Sequence, residues 1–93
     1  MDNLDELVDI FSRTTDRIET RKLMTELFTG AELTDISKRW YLMKELYRGT
    51  PQRQIAKDME ISLCRITRGS KVLKDNESQF RKILSDMYDE THI

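Results

Sequence analysis

The ten residues RITRGSKVLK, numbers 65 to 74, hold the densest group of chemically able side chains in this 93-residue chain. Arg65, Arg68, Lys71 and Lys74 carry positive charge, Thr67 and Ser70 carry hydroxyls, and Gly69 interrupts a helical pattern. Glycine inside a helix costs about 1 kcal/mol relative to alanine, so Gly69 either ends the helix or makes room for something close to the backbone. The chemistry on offer is anion binding. Arg68, and Arg39 earlier in the chain, each bring a planar guanidinium that stacks on rings and grips carboxylates as lysine does not. Each sits beside an apolar residue, Ile66 and Trp40 respectively. On the residues alone a ligand grip competes with two ordinary exposed arginines and a helix end fraying at Gly69, and the plainer reading is the stronger. Catalysis is not expected. Cys64 has no histidine near it in sequence, His92 is the only histidine, and neither metal-ligand spacing nor a phosphate loop occurs. No catalytic residue, metal site or cofactor is therefore expected.

The formal net charge of −1 hides a segregation. From Lys38 to Lys74 there are ten Lys or Arg against three Asp or Glu, a local balance of +7, while the rest of the chain holds six against fourteen. A basic block in an acidic chain is a footprint that a polyanion can read, although solvated helix faces produce the same count. With three Gly, one Pro and 35% charged residues, the composition suits a single helical domain, residues 1 to 93. So short a chain buries only about two thirds of its unfolded surface, a thin core that favours a partner subunit. No apolar run approaches the roughly 20 residues needed to span a membrane, and the acidic start MDNLDELVDI is unlike a signal peptide. The lone Cys64 has no partner for an internal disulfide, so a cytoplasmic location without membrane contact is expected.

The elements that must position these groups follow from apolar spacing. Leu4, Leu7, Val8 and Phe11 predict a helix over 3 to 13; Ile18, Leu23, Met24, Leu27 and Phe28 predict a second from about 16 to 28. In TGAE, residues 29 to 32, Thr29 can cap a helix while Glu32 reaches back to the Thr29 N–H. Behind this capping box Leu33, Ile36, Trp40, Met43 and Tyr47 recur every three or four residues until Gly49 stops the helix, giving a third from about 30 to 48. Thr50 and Pro51 are expected as N-cap and first residue of a short helix over 51 to 58, with Ile55 and Met59 facing inward. MEIS supplies a turn, and Ser62 caps a further helix whose inward residues are Leu63, Ile66 and Leu73. Asp75 and Asn76 break and recap the chain before a last helix, about 77 to 89, with Phe80, Ile83, Leu84 and Met87 on one face. The fold class is all-α, five to six short helices.

Two short helices joined by about four residues form a helix-turn-helix, here about 51 to 74. In that motif the second helix enters the major groove with its first residues toward base edges, and the first crosses the backbone. Leu63, Cys64, Arg65 and Thr67 then lie at or near bases, while Gln52, Arg53, Ser70, Lys71 and Lys74 are placed to hold phosphates.

FTGAEL, SKRWYLMKELYRG and QRQIAKDMEISLCRITRGSKVLK together resemble the tryptophan repressor family, over about residues 26 to 74 and in the family's order. ITRGS followed by Leu-Lys is the specific part of the match. The resemblance implies an all-helical, intertwined homodimer that presents two reading heads to a palindromic double-stranded DNA operator and uses L-tryptophan as corepressor. It implies that Arg39 and Arg68 sandwich the indole, that Arg68 also meets the ligand carboxylate, and that Gly69 packs beside the ring. It implies further that the carbonyls of Glu26 and Phe28, from the partner subunit, receive the ligand ammonium, with Thr29 next to them. Arg53 matches a basic DNA-contacting residue, and Leu63, Cys64 and Thr67 match recognition-helix positions.

Three residues depart from the family pattern. Val72 stands where the best-known members have a serine that contacts the ligand ammonium; one hydrogen bond of about 0.5–1.5 kcal/mol is lost, so tryptophan binds about tenfold more weakly or the ligand differs. Glu60 takes a turn position usually held by glycine, which costs of order 1 kcal/mol if it is left-handed. Cys64 and Arg65 replace smaller residues, and Arg65 could read a guanine through O6 and N7. The expected function is a tryptophan-dependent, sequence-specific DNA-binding repressor. The alternatives are a DNA-binding dimer of the same fold with another ligand or none, and a helical protein-interaction module that works through its acidic outer helices.

Overall fold

A computed structural model describes residues 2–89, and the described residues form six α-helices with no strand. His92 lies outside them. The chain divides into two compact units, with the boundary after Asp35.

The first unit holds α1 (Asn3–Arg13), α2 (Arg17–Leu27) and the start of α3 (Gly30–Tyr47). Each helix begins at a side-chain cap. Asp2 accepts from the Asp5 N–H at 2.8 Å and Asp16 from the Glu19 N–H at 2.9 Å, in each case giving an early N–H the partner the helix cannot supply. At α3 both halves of the capping box form: the Thr29 N–H donates to Glu32 Oε1 at 2.9 Å and the Glu32 N–H to Thr29 Oγ1 at 3.1 Å. Neither α1 nor α2 has a buried residue, and Leu4, Val8, Ile18 and Leu27 are exposed. A helix held only by propensity and caps is marginal at eleven residues, so these two need a surface to bury against.

The second unit holds most of α3, then α4 (Gln52–Met59), α5 (Leu63–Lys74) and α6 (Gln79–Tyr88). Its core joins Leu42, Ile55 and Ile66, one residue from each of α3, α4 and α5, with Leu46, Ala56, Met59 and Ile61 packed around them. Ile55 and Ile66 are essentially sealed, and burying each such side chain contributes about 1.5–3 kcal/mol. Leu84 of α6 is fully buried, and Trp40 stacks on Phe80 with ring centroids 5.9 Å apart. Leu42, absent from the periodicity of α3, is buried, whereas Leu33, Ile36, Trp40 and Tyr47 are half-buried. On α6, Ile83 and Met87 are exposed.

Three local expectations are corrected. Helix α4 begins one residue late: Pro51, at φ −57° and ψ 137°, is its N-cap without a side-chain hydrogen bond, and the Pro51 carbonyl accepts from Gln54 and Ile55. Its extended ψ keeps Pro51 out of the first turn, so Thr50 is not the cap. Leu63 is not inward-facing but 50% exposed, because Ile66 takes the inner position of α5. The recapping residue before α6 is Ser78, whose Oγ accepts from the Arg81 N–H, while Asp75 takes the Glu77 N–H. Asn76 instead accepts from Arg81 Nη1 at 2.8 Å.

Candidate functional site

Gly49 ends α3 at φ +88°, a conformation glycine adopts without penalty, and donates to the Leu46 carbonyl while Thr50 donates to Glu45. This pair of bonds is a Schellman stop, which turns the chain sharply into α4. Glu60 makes the second turn. It sits at φ 54° and ψ 44°, left-handed, and its N–H and that of Ile61 both reach back to the Ala56 carbonyl. The strain anticipated for a non-glycine at this position is present, at about 1–2 kcal/mol. Ser62 then caps α5, its Oγ accepting from the Arg65 N–H at 3.4 Å.

The helix pair so built hides Ile55 and Ile66 at its crossing and turns its polar residues outward. Gln52, Arg53, Leu63, Cys64, Arg65, Thr67, Lys71 and Lys74 are exposed and Ser70 is half-buried. None of Arg53, Arg65, Arg68, Lys71 and Lys74 is in an ion pair or side-chain hydrogen bond among the described residues. Residues 52 to 74 carry six cations against Asp58 and Glu60, and Asp58 accepts from the Gln54 amide at 2.8 Å. The face therefore keeps an uncompensated positive field. Thr67 differs from its neighbours in that its hydroxyl donates to the Leu63 carbonyl at 2.9 Å, so toward a partner it can act as acceptor or through its methyl.

The residues expected to hold a ligand fall in both units. In the second, Arg39 and Arg68 are exposed and unpartnered among the described residues, and Val72, one turn beyond Arg68, is 39% exposed. Gly69 is buried for a reason the sequence does not carry. A Cβ there would stand 3.0 Å from Leu46 Cδ1 and 3.2 Å from Met43 Sδ, so the missing side chain lets α5 approach α3. In the first unit, Phe28 makes the last helical N–H bond of α2, to Met24. The carbonyls of Glu26 and Phe28 thus lie beyond the last intrahelical donor and are open to an outside one. Thr29 is committed to the capping box, its oxygen accepting from Glu32. Among the described residues, no group of three or more His, Cys, Asp or Glu is placed to hold a metal ion, and no helix is long and apolar enough to cross a membrane.

An all-helical chain in which a strained turn presents an exposed, cation-rich second helix is a helix-turn-helix protein of the DNA-binding class. The chain belongs to the Trp repressor family, whose model, described as Trp repressor protein, matches residues 2–88. It is therefore a member of a family of DNA-binding transcriptional regulators that act as repressors. It is similar to a Trp operon repressor homolog of Chlamydia trachomatis serovar L2, 32% identical over 73 residues that cover 73% of this chain and 78% of the relative, and equally to that of serovar D. A Trp operon repressor homolog of Vibrio atlanticus is 26% identical over 87 residues, covering 92% of this chain and 89% of the relative. No solved structure matches the chain at a significant level.

Proposed function

We propose that the chain is a sequence-specific repressor that works as a homodimer on a palindromic operator, with L-tryptophan as corepressor. The observation that carries the proposal is the exposed state of Arg39 and Arg68, neither of which has an ion pair or side-chain hydrogen bond among the described residues. A guanidinium that neither pairs nor packs is available to stack on an indole, and Arg68 is available to a carboxylate. The open carbonyls of Glu26 and Phe28, contributed by a second copy, give the ligand ammonium its acceptors. The bare apolar faces of α1 and α2 support the second copy, because ten large hydrophobic side chains among the described residues are exposed, Leu4, Val8, Ile18 and Leu27 among them.

The mechanism is a population shift. Ligand held between Arg39 of α3 and Arg68 of α5 favours the arrangement in which the two reading heads match successive major grooves, about 34 Å apart, a docking geometry of which Trp repressors are themselves a standard example. It shifts that equilibrium only by its differential affinity for the two arrangements. Lys71, Lys74, Arg53 and Gln52 hold phosphates and set the register; Leu63, Cys64, Arg65 and Thr67 face the bases. Arg65 is long enough to make a bidentate contact with guanine, which small residues at that place do not make.

Calorimetric titration with L-tryptophan tests the ligand, and binding at one site per chain in the micromolar to low-millimolar range is the expected result. An Arg68→Ala variant stays folded and dimeric yet loses ligand-stimulated DNA binding; retained stimulation refutes its role. Val72 favours one second reading, a DNA-binding dimer of the same fold that answers to another ligand or none, since its exposed methyls offer an ammonium no acceptor. No heat with L-tryptophan at several temperatures selects that reading.

A further inference from the structure

A cleft of about 470 Å³ opens on the second unit where the end of α3, the start of α4, the second half of α5 and α6 come together. Lys74 and Arg81 line it with Ser70 and Gln52, against Leu46 and Leu73. Among the described residues, no acidic side chain lines it. Gln52, Ser70 and Lys74 are three of the residues whose sequence positions mark them for phosphate, and the fold brings them to one cleft although they lie on two different helices. Arg81 belongs to α6, outside the helix-turn-helix, and nothing in its sequence surroundings singles it out.

The position of Arg81 is fixed rather than incidental. Its Nη1 donates to Asn76 Oδ1 at 2.8 Å, and its remaining guanidinium N–H groups have no partner among the described residues. Lys74 has no ion pair among the described residues. The Tyr47 hydroxyl, at the cleft's α3 side, donates to Asp89 Oδ2 at 2.6 Å, so its proton is not offered to an anion in the cleft. Two unpaired cations with a hydroxyl and an amide, in a recess open to solvent, suit a group that is doubly bridged, anionic and still partly hydrated. A phosphodiester is such a group.

We infer that this cleft seats a DNA backbone phosphate, and that Arg81 is a phosphate-binding residue that extends the DNA interface from the helix-turn-helix onto α6. The inference rests on the DNA-binding reading above. One phosphate neutralised contributes about 0.9 to the slope of log affinity against log salt.

The test is the affinity of the full chain for an operator duplex, read by fluorescence anisotropy across a salt series, for wild type, Arg81→Gln, Arg81→Lys, Arg53→Ala and Lys82→Ala. Glutamine keeps an N–H donor for Asn76 while removing the charge, so the α5–α6 corner is preserved. Arg81→Gln is expected to flatten the slope by about 1.8, about 0.9 for each subunit of the dimer, so that the wild-type advantage shrinks about 12-fold between 50 and 200 mM salt. Arg81→Lys keeps the slope, and so does Lys82→Ala, an exposed cation of α6 that does not line the cleft. If Arg81→Gln lowers affinity equally at all salt concentrations, or leaves it unchanged, while Arg53→Ala flattens the slope, the cleft assignment is overturned and DNA binding stands. A flat plot for the wild type overturns both.

Discussion

Gly69→Ala separates two reasons for a glycine in the middle of α5. At an ordinary helix-interior position the added methyl would stabilise the protein by about 1 kcal/mol, because alanine loses less backbone entropy on folding. At Gly69 the methyl would meet Leu46 Cδ1 at 3.0 Å and Met43 Sδ at 3.2 Å, with Leu42 Cδ2 at 3.6 Å behind them. The first two contacts require movement of a few tenths of an ångström. Leu46 Cδ1 ends its side chain, Met43 Sδ lies one atom from the end of its own, and a methionine thioether adapts more readily than most, which alone would place the cost toward the low end of the roughly 1–3 kcal/mol typical of overpacking. Met43 is buried, however, and Leu42 belongs to the central cluster, so the displaced atoms have little free space to enter. This confinement raises the cost to about 2 kcal/mol, and the opposing terms leave a net loss of about 1 kcal/mol. Urea unfolding followed by circular dichroism measures it, without added ligand and at matched protein concentration, because the midpoint of a dimer depends on concentration. A ligand-free Ala variant about 1 kcal/mol more stable than wild type would refute the packing account and return Gly69 to a role in ligand approach alone.

Other consequences follow from single residues. Glu60→Gly relieves left-handed strain of about 1–2 kcal/mol but adds roughly 0.4–1 kcal/mol of unfolded-state entropy, so a net gain of about 0.5–1 kcal/mol is expected in the same unfolding assay; destabilisation would show that the Glu60 conformation carries no strain. Ser62→Ala removes the cap of α5, whose bond to the Arg65 N–H is long at 3.4 Å; about 0.5–1 kcal/mol of stability should be lost, and operator affinity should fall more than in a Ser12→Ala control. The Tyr47 phenol is held above its ordinary value of 10.0, first by its hydrogen bond to Asp89 and then by burial. A raised folded value means that this bond stabilises the protein fully below the unfolded value and is lost as pH rises through the folded one. Tyrosinate absorbance in alkaline titration should therefore show a late component that Tyr47→Phe removes, leaving Tyr41, which the Glu45 carboxylate also holds high; identical curves would sink that assignment.

What the sequence discloses is local, and what it conceals is tertiary. The Thr29–Glu32 box, the Gly49 stop and the Ser62 cap could be read in advance because each is settled by atoms within five residues of one another. Glu60 was legible in the same way, as a turn residue of the wrong type for a left-handed position. Leu63 and Leu42 were not. Which apolar residue of a helix turns inward depends on where the next helix crosses it, and Ile66 and Leu42 occupy the crossing of α3, α4 and α5. Gly69 is the instructive case, since its type announces a close approach without naming what approaches, and only the positions of Leu46 and Met43 identify α3 as the neighbour. Arg81 shows the converse. It is one cation in an unremarkable stretch, and it acquires a candidate task solely because the turn at residues 75 to 78 sets α6 beside the start of α4 and the end of α5. For a protein of this kind the reading helix can be found by pattern, whereas the full extent of the surface that meets the phosphates is fixed by packing between elements far apart in the chain.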